Sequence, residues 1–316
     1  MLEEKVFMIK NRYLILLFGF WFVQLHCSVV DFDQSMKIEQ HSELFQYESL
    51  ERLFSIFKRL YKKNNFDVAP SKIRQTVPKL FHYIWFGSKL PRKFIPFLQS
   101  WIEKHPDWKF LIWVDNPQNY DLAYLVEDAD FDKVQVLIES AEGMNSNCFV
   151  IDVKHLDFKN RIFFDEARNF GERSDILRYE LLYRFGGVYI DVDMECLYPL
   201  NFLHEKYDFY TGLQPLDTEM LQLGIGLIGA RPGHPVLEHA VETIGDNRDQ
   251  GKIVVRTGPI HFTKSFLSTI GKTEDSNIVL PASYFYPCDY NQVGLPAHVW
   301  KKPESIAVHH WAGSWL

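Results

Sequence analysis

Apolar positions follow two rhythms along the chain, and the change from one to the other divides it. Between Ser42 and Lys63, Leu44, Phe45, Leu50, Leu53, Phe54, Phe57 and Leu60 recur at helical spacing among charged residues, which predicts an amphipathic helix with one face docked on the body of the protein. A polar stretch from Asn64 to Thr76 containing Pro70 reads as a connector. From Val77 onward short apolar and aromatic runs alternate with helical patterns. The runs Lys79 to Phe86, Trp108 to Val114, Val188 to Asp191, Tyr207 to Leu213, Gln222 to Ala230, Asn277 to Leu280 and Ser305 to His309 read as strands. Lys93 to Lys104, Asp121 to Ala141, Ser174 to Phe185, His234 to Ile244 and His261 to Leu267 read as helices, the third stopped by Gly186 and Gly187. Such alternation predicts an α/β fold with a mainly parallel sheet covered on both faces.

The N-terminus has a different pattern. An unbroken apolar run from Tyr13 to Val23 follows Lys10 and Arg12, and a looser one continues to Val30. Charge followed by about 18 mostly apolar residues predicts a cleaved signal or a single membrane anchor. The expected organisation is therefore a hydrophobic segment over residues 1–30, a helical extension and connector over 31–76, and one domain over 77–316. The chain would be membrane-associated through that segment, or secreted if it is cleaved.

Composition narrows the possibilities further. With 316 residues and 47% hydrophobic content the chain can bury a large core. A formal charge of −7 offers no basic stripe of the kind a nucleic-acid binder needs. Cys27, Cys148, Cys196 and Cys288 are scattered, with neither a CxxC pair nor zinc-site spacing. Aromatic residues make up 16% of the chain; Trp101, Trp108 and Trp113 read as core, and His82 as a buried, satisfied histidine.

The densest chemical signal runs from Arg173 to Asp193. A helix carrying Asp175 and Arg178, three apart and so on one face, stops at the glycine pair. A short strand with Tyr189 then delivers Asp191 and Asp193 at its C-terminal end, where open α/β sheets bind ligands. Alternation along a strand would send both carboxylates to one side and Val192 to the core. Two oxygen ligands on one side suit a hard cation, Mn2+ or Mg2+, that also engages phosphate oxygens.

At these residues the chain resembles glycosyltransferase family thirty-two, defined by a sugar-binding region containing the DXD motif. That family includes yeast-type and inositol phosphoceramide mannosyltransferases, and its core is similar to that of the clostridial glucosylating toxins. The likeness extends to Val77 through Gly87, to Gly233-His234-Pro235, to Thr257-Gly258-Pro259 and to His309 through Trp315. It implies a GT-A-like nucleotide-sugar-binding fold. It also implies a metal-dependent retaining transfer of a hexose, mannose favoured over galactose or glucose, from a GDP- or UDP-sugar to a lipid or glycan acceptor.

Carried over position by position, the resemblance gives Trp85 the donor's base, and it places Asp175 and Arg178 near ribose, sugar and phosphate. Tyr189 stands before the metal motif, and Asp191 and Asp193 bind the cation. His310, Ser314 and Trp315 fall in the segment that closes over the diphosphate, with His310 as the expected further metal ligand; spacing does not separate it from His309. Where relatives often have Asn-Gly or Asn-Ala, this chain reads Gly224-Ile225-Gly226, so the asparagine expected beside the donor sugar is missing and Gln222 lies nearby as its stand-in. Two other readings share the aspartates: an effector glycosylating a host protein, and a metal-dependent carbohydrate-binding module without turnover.

Overall fold

The computed structural model describes residues 29–67, 76–117, 125–126, 129–140 and 147–313. An eight-stranded sheet has the order β3-β4-β2-β1-β5-β8-β7-β9. The strands are β1 Leu80–Trp85, β2 Lys109–Val114, β3 Leu125–Val126, β4 Cys148–Asp152, β5 Gly187–Ile190, β7 Phe209–Leu213, β8 Leu223–Ala230 and β9 Asn277–Leu280, while β6 Met194–Cys196 and β10 Ala307–His309 form a separate antiparallel pair. The half from β3 to β5 is parallel throughout. β8 lies antiparallel to both its neighbours, and β9 is parallel to β7. A mainly parallel mixed sheet flanked by helices is the architecture expected from the sequence.

Alternation along β1 shows how both faces are covered. Phe81 stacks on Phe110 of β2 and Trp108 and meets Trp101 of helix α2 (Ile95–Lys104) edge on. Its neighbour His82 points the other way, toward Phe185 at the end of helix α4 (Phe170–Phe185). Trp101, Trp108 and Trp113 are fully buried, as expected of core residues. His82 is buried too: its Nδ1 accepts from the Trp113 indole at 3.2 Å and its Nε2 donates to the Gly186 carbonyl at 2.9 Å. Both ring nitrogens are therefore satisfied in the neutral form, and burial pushes the pKa down to about 4.

Several boundaries differ from expectation. The region expected as one helix from Asp121 to Ala141 holds the edge strand β3 and a shorter helix, α3 (Phe131–Ser140); its start and its last residue lie outside the described residues. β4 and β6 were not anticipated, because Cys148–Asp152 and Met194–Cys196 are too short for a period to register. The amphipathic helix is present as α1 (Glu48–Asn64), preceded by a 3-10 stretch over Ile38–Gln46. Its buried Phe54, Phe57 and Tyr61 join the same core as the sheet, with Phe57 against Phe266 and the Tyr61 hydroxyl 3.2 Å from that of Tyr284.

The expected membrane association or secretion is corrected. Among the described residues, no helix is long and apolar enough to cross a membrane, and residues 1–28 lie outside them, so no N-terminal membrane segment is shown. Cys196 and Cys288 are free thiols; Cys27 lies outside the described residues.

Candidate active site

The site begins where α4 ends. Gly186 and Gly187 have φ of +64° and +93°, a region L side chains rarely adopt. A Cβ on Gly187 would stand 2.5 Å from the Leu80 carbonyl oxygen. Only glycine lets the helix stop and the chain enter β5 flush against β1. β5 then ends at Ile190, one residue earlier than expected. Asp191, Val192 and Asp193 form a turn closed by the Met194 N–H on the Asp191 carbonyl at 3.0 Å. The turn, not strand alternation, brings the carboxylates together, and Val192 is buried with the core as expected while also bordering the cleft.

Asp191 is held from several directions. Its N–H donates to the Gly226 carbonyl at 2.8 Å, the Tyr189 hydroxyl donates to its Oδ1 at 2.7 Å, and Arg178 Nη1 lies 3.5 Å from the same oxygen. Arg178 is itself buried and fully engaged. It donates to the Ile225 carbonyl at 2.7 Å and the Ser174 carbonyl at 3.3 Å, pairs with Asp175 at 2.9 Å, and lies over the Tyr189 ring at 4.2 Å. Burial alone would disfavour its charge, but the surrounding acidic groups and tyrosines outweigh that and hold it protonated. Asp175 also accepts from the Thr257 hydroxyl at 3.0 Å. Burial lifts the Asp175 carboxyl to about 6, although Arg178 and Thr257 pull against it.

The histidine that meets this pair is His309, not the expected His310. β10 runs antiparallel to β6 with His309 opposite Met194. This places His309 Nε2 3.1 Å from Asp193 Oδ1 and 3.6 Å from Asp191 Oδ2. His310 turns away: it lies flat on Phe97 at 4.4 Å and pairs with Glu195 at 3.0 Å. Burial would raise the Asp193 carboxyl, but His309 and the Ala312 N–H, which donates at 2.7 Å, bring it well below the ordinary range. Burial would lower His309, and the two aspartates raise it instead. Trp311, with φ of +50°, packs edge-on to His309 at 4.3 Å between ring centres.

Ligand atoms of Asp191, Asp193 and His309 lie within 4.8 Å of one another. Asp191 Oδ1 is taken by Tyr189 and Arg178, while its Oδ2 and Asp193 Oδ1 face the imidazole. Two carboxylate oxygens and an imidazole nitrogen turned toward a common point form a donor set that fits Mn2+ or Mg2+.

The three line a cleft of about 450 Å³. At one end stands Trp85, its ring nitrogen buried and without a hydrogen-bond partner among the described residues. Asp175, Arg178 and Tyr189 line the cleft as well, together with Gln214, Gln222 and Tyr286. Thus Trp85, Asp175, Arg178, Tyr189, Asp191 and Asp193 are brought together, His310 is not, and Ser314 and Trp315 lie outside the described residues. Thr257, Gln214 and Tyr286 went unassigned. Thr257 sits in a Thr-Gly-Pro motif that marks a turn, and the other two carry no local signal.

Residues 91–210 match the family described as glycosyltransferase sugar-binding region containing DXD motif, and Asp191 and Asp193 fall inside that match. Inositol phosphoceramide mannosyltransferase 1 of Schizosaccharomyces pombe is 24% identical over 222 residues, 68% of this chain and 58% of that one. Subversion of eukaryotic traffic protein A of Legionella pneumophila is 31% identical over 126 residues, 39% of this chain and 18% of that protein. The chain thus spans less than two thirds of the length of these curated relatives. A solved structure titled PaToxG Glycosyltransferase aligns over 71% of this chain and 79% of its own, at 18% identity and a TM-score of 0.48. The chain carries the DXD-containing region that its residues suggested, and inositol phosphoceramide mannosyltransferases are among its relatives.

Proposed function

We propose that this chain is a metal-dependent, retaining hexosyltransferase that moves a hexose, mannose favoured, from a GDP- or UDP-sugar to a lipid or glycan acceptor. The observation that carries the reading is the grouping of Asp191, Asp193 and His309 within 4.8 Å in a cleft that also exposes Trp85. Trp85 offers an aromatic face to the base, Asp175 a buried carboxylate to sugar or ribose hydroxyls, and the acidic pair with His309 holds Mn2+ or Mg2+. Such a cation supplies Lewis acidity to the departing diphosphate.

The protein's own part is electrostatic and positional. Arg178 ties Asp175 to Asp191 and offsets their charge. In the transfer, the bond between the anomeric carbon and the phosphate oxygen breaks and its electrons leave with the nucleoside diphosphate. The acceptor oxygen forms the new bond on the same face and loses its proton to the leaving phosphate. Among the described residues at the cleft none stands out as a covalent nucleophile, which favours this route over a double displacement.

The test is a panel of nucleotide sugars with Mn2+, scored for hydrolysis and for transfer into lipid and glycan fractions. Asp191→Asn with Asp193→Asn should abolish turnover while the fold is kept. Metal-dependent transfer surviving in the double variant would refute the proposal. Binding of sugar with no hydrolysis of any donor would favour a carbohydrate-binding module.

A further inference from the structure

Gln214 and Gln222 flank the connection between β7 and β8 and are pinned to each other twice. The Gln214 N–H donates to the Gln222 carbonyl at 3.0 Å, and the Gln222 side-chain amide donates to Gln214 Oε1 at 2.7 Å. Both side chains line the cleft and are 8% and 6% exposed. This pairing uses one N–H of the Gln222 amide and leaves its Oε1 buried with no hydrogen-bond partner among the described residues. A buried carbonyl without a donor is costly. The residue itself lines the cleft, so a turn of its amide offers this oxygen to a ligand hydroxyl.

The position selects which part of a ligand arrives there. Gly226, four residues along β8, abuts the Asp191 carboxylate, and at strand rise Gln222 lies roughly 13 Å from it along the chain. That is beyond the reach of a cation held by Asp191, Asp193 and His309. Gly224 and Gly226 present no side chain: Tyr286 lies over Gly224, and Tyr286 and Gly226 line the cleft between Gln222 and the metal end. Both amides are neutral, which matches uncharged hydroxyls and not a phosphate.

Resting on the donor reading above, we infer that Gln222, oriented by Gln214, is a specificity-determining residue that accepts a hydrogen bond from one ring hydroxyl of the donor's neutral hexose. A site built to bond a hydroxyl rejects the analogue that lacks it.

The experiment uses the full chain with Mn2+, the best nucleotide-hexose from the panel, and a series of its monodeoxy analogues, each lacking one ring hydroxyl. The wild type should discriminate against one analogue by roughly tenfold or more in kcat/KM. Gln222→Met should turn over the parent donor more slowly, lose most of that discrimination and still bind the free nucleoside diphosphate as tightly as wild type. Gln214→Met, which frees the Gln222 amide to rotate, should weaken the discrimination partially. Unchanged discrimination in Gln222→Met, with nucleoside diphosphate binding intact, would overturn this inference and leave the donor reading standing. Failure of the wild type to bind any nucleoside diphosphate would overturn both.

Discussion

Gly226→Ala isolates the geometry of the metal motif from the stability of the fold. A Cβ at this position would lie 2.9 Å from Asp191 Oδ2 and 3.3 Å from Met194 Sδ, closer than ordinary contact by roughly 0.5 Å for the first. The backbone has little room to give way, since β8 is paired to β5 through Leu227 and Ile190, and the Gly226 carbonyl accepts the Asp191 N–H. The carboxylate must therefore turn, against the hold of Tyr189 at 2.7 Å and Arg178 at 3.5 Å. Gly226 has no left-handed φ, so alanine removes freedom from the unfolded chain at little conformational cost to the folded one. The expected outcome is a split. Mn2+ affinity, followed by calorimetric titration, falls about 10- to 100-fold, on the order of 1.4 to 2.8 kcal/mol, while the thermal midpoint moves by no more than a few degrees. Unaltered Mn2+ affinity in a folded variant would refute the placement of Asp191 in the metal shell.

Two further predictions concern the rest of the molecule. His82, His105, His204 and His234 are all buried, and burial lowers each to about 4 from 6.5. The unfolded chain therefore binds protons that the folded chain refuses. Stability from this source is complete above pH 6.5 and is lost as pH falls toward 4, by on the order of 3 kcal/mol per histidine. Urea midpoints should fall steeply between pH 6.5 and 4.5, and a flat profile there would contradict the buried, neutral assignment. Glu172 accepts from Arg248 at 2.8 Å and from Arg256 at 2.8 and 2.9 Å, and so ties the segment that brings Ile253 and Val254 to the cleft onto the start of α4. Glu172→Ala should cost about 3 kcal/mol in denaturant unfolding and raise KM for the donor more than it lowers kcat; unchanged unfolding would show that the two arginines find other partners.

What the sequence revealed and what it hid differ in how far apart the cooperating residues lie along the chain. Helix α4, the glycine pair, β5 and both aspartates occupy a continuous stretch from Phe170 to Asp193, so period, helix stop and carboxylate spacing could all be read locally. His309 joins the aspartates only because β10 lies antiparallel to β6 with His309 opposite Met194. A one-residue shift in that register would present His310 instead, and two adjacent histidines on a three-residue strand carry no pattern that fixes it. The same reason hides the partners of Arg178. Its pairing with Asp175 follows from helical spacing, but its bond to the Ile225 carbonyl is set by β8 crossing beside β5, which brings together residues 47 positions apart. The missing asparagine is the instructive case. The sequence shows small residues at Gly224 and Gly226, and only the fold explains them: a Cβ at 224 would strike the Tyr286 hydroxyl at 2.2 Å and one at 226 would crowd Asp191. With Tyr286 and Asp191 in these places no side chain fits on that floor, and the amides of Gln214 and Gln222 stand at its edge.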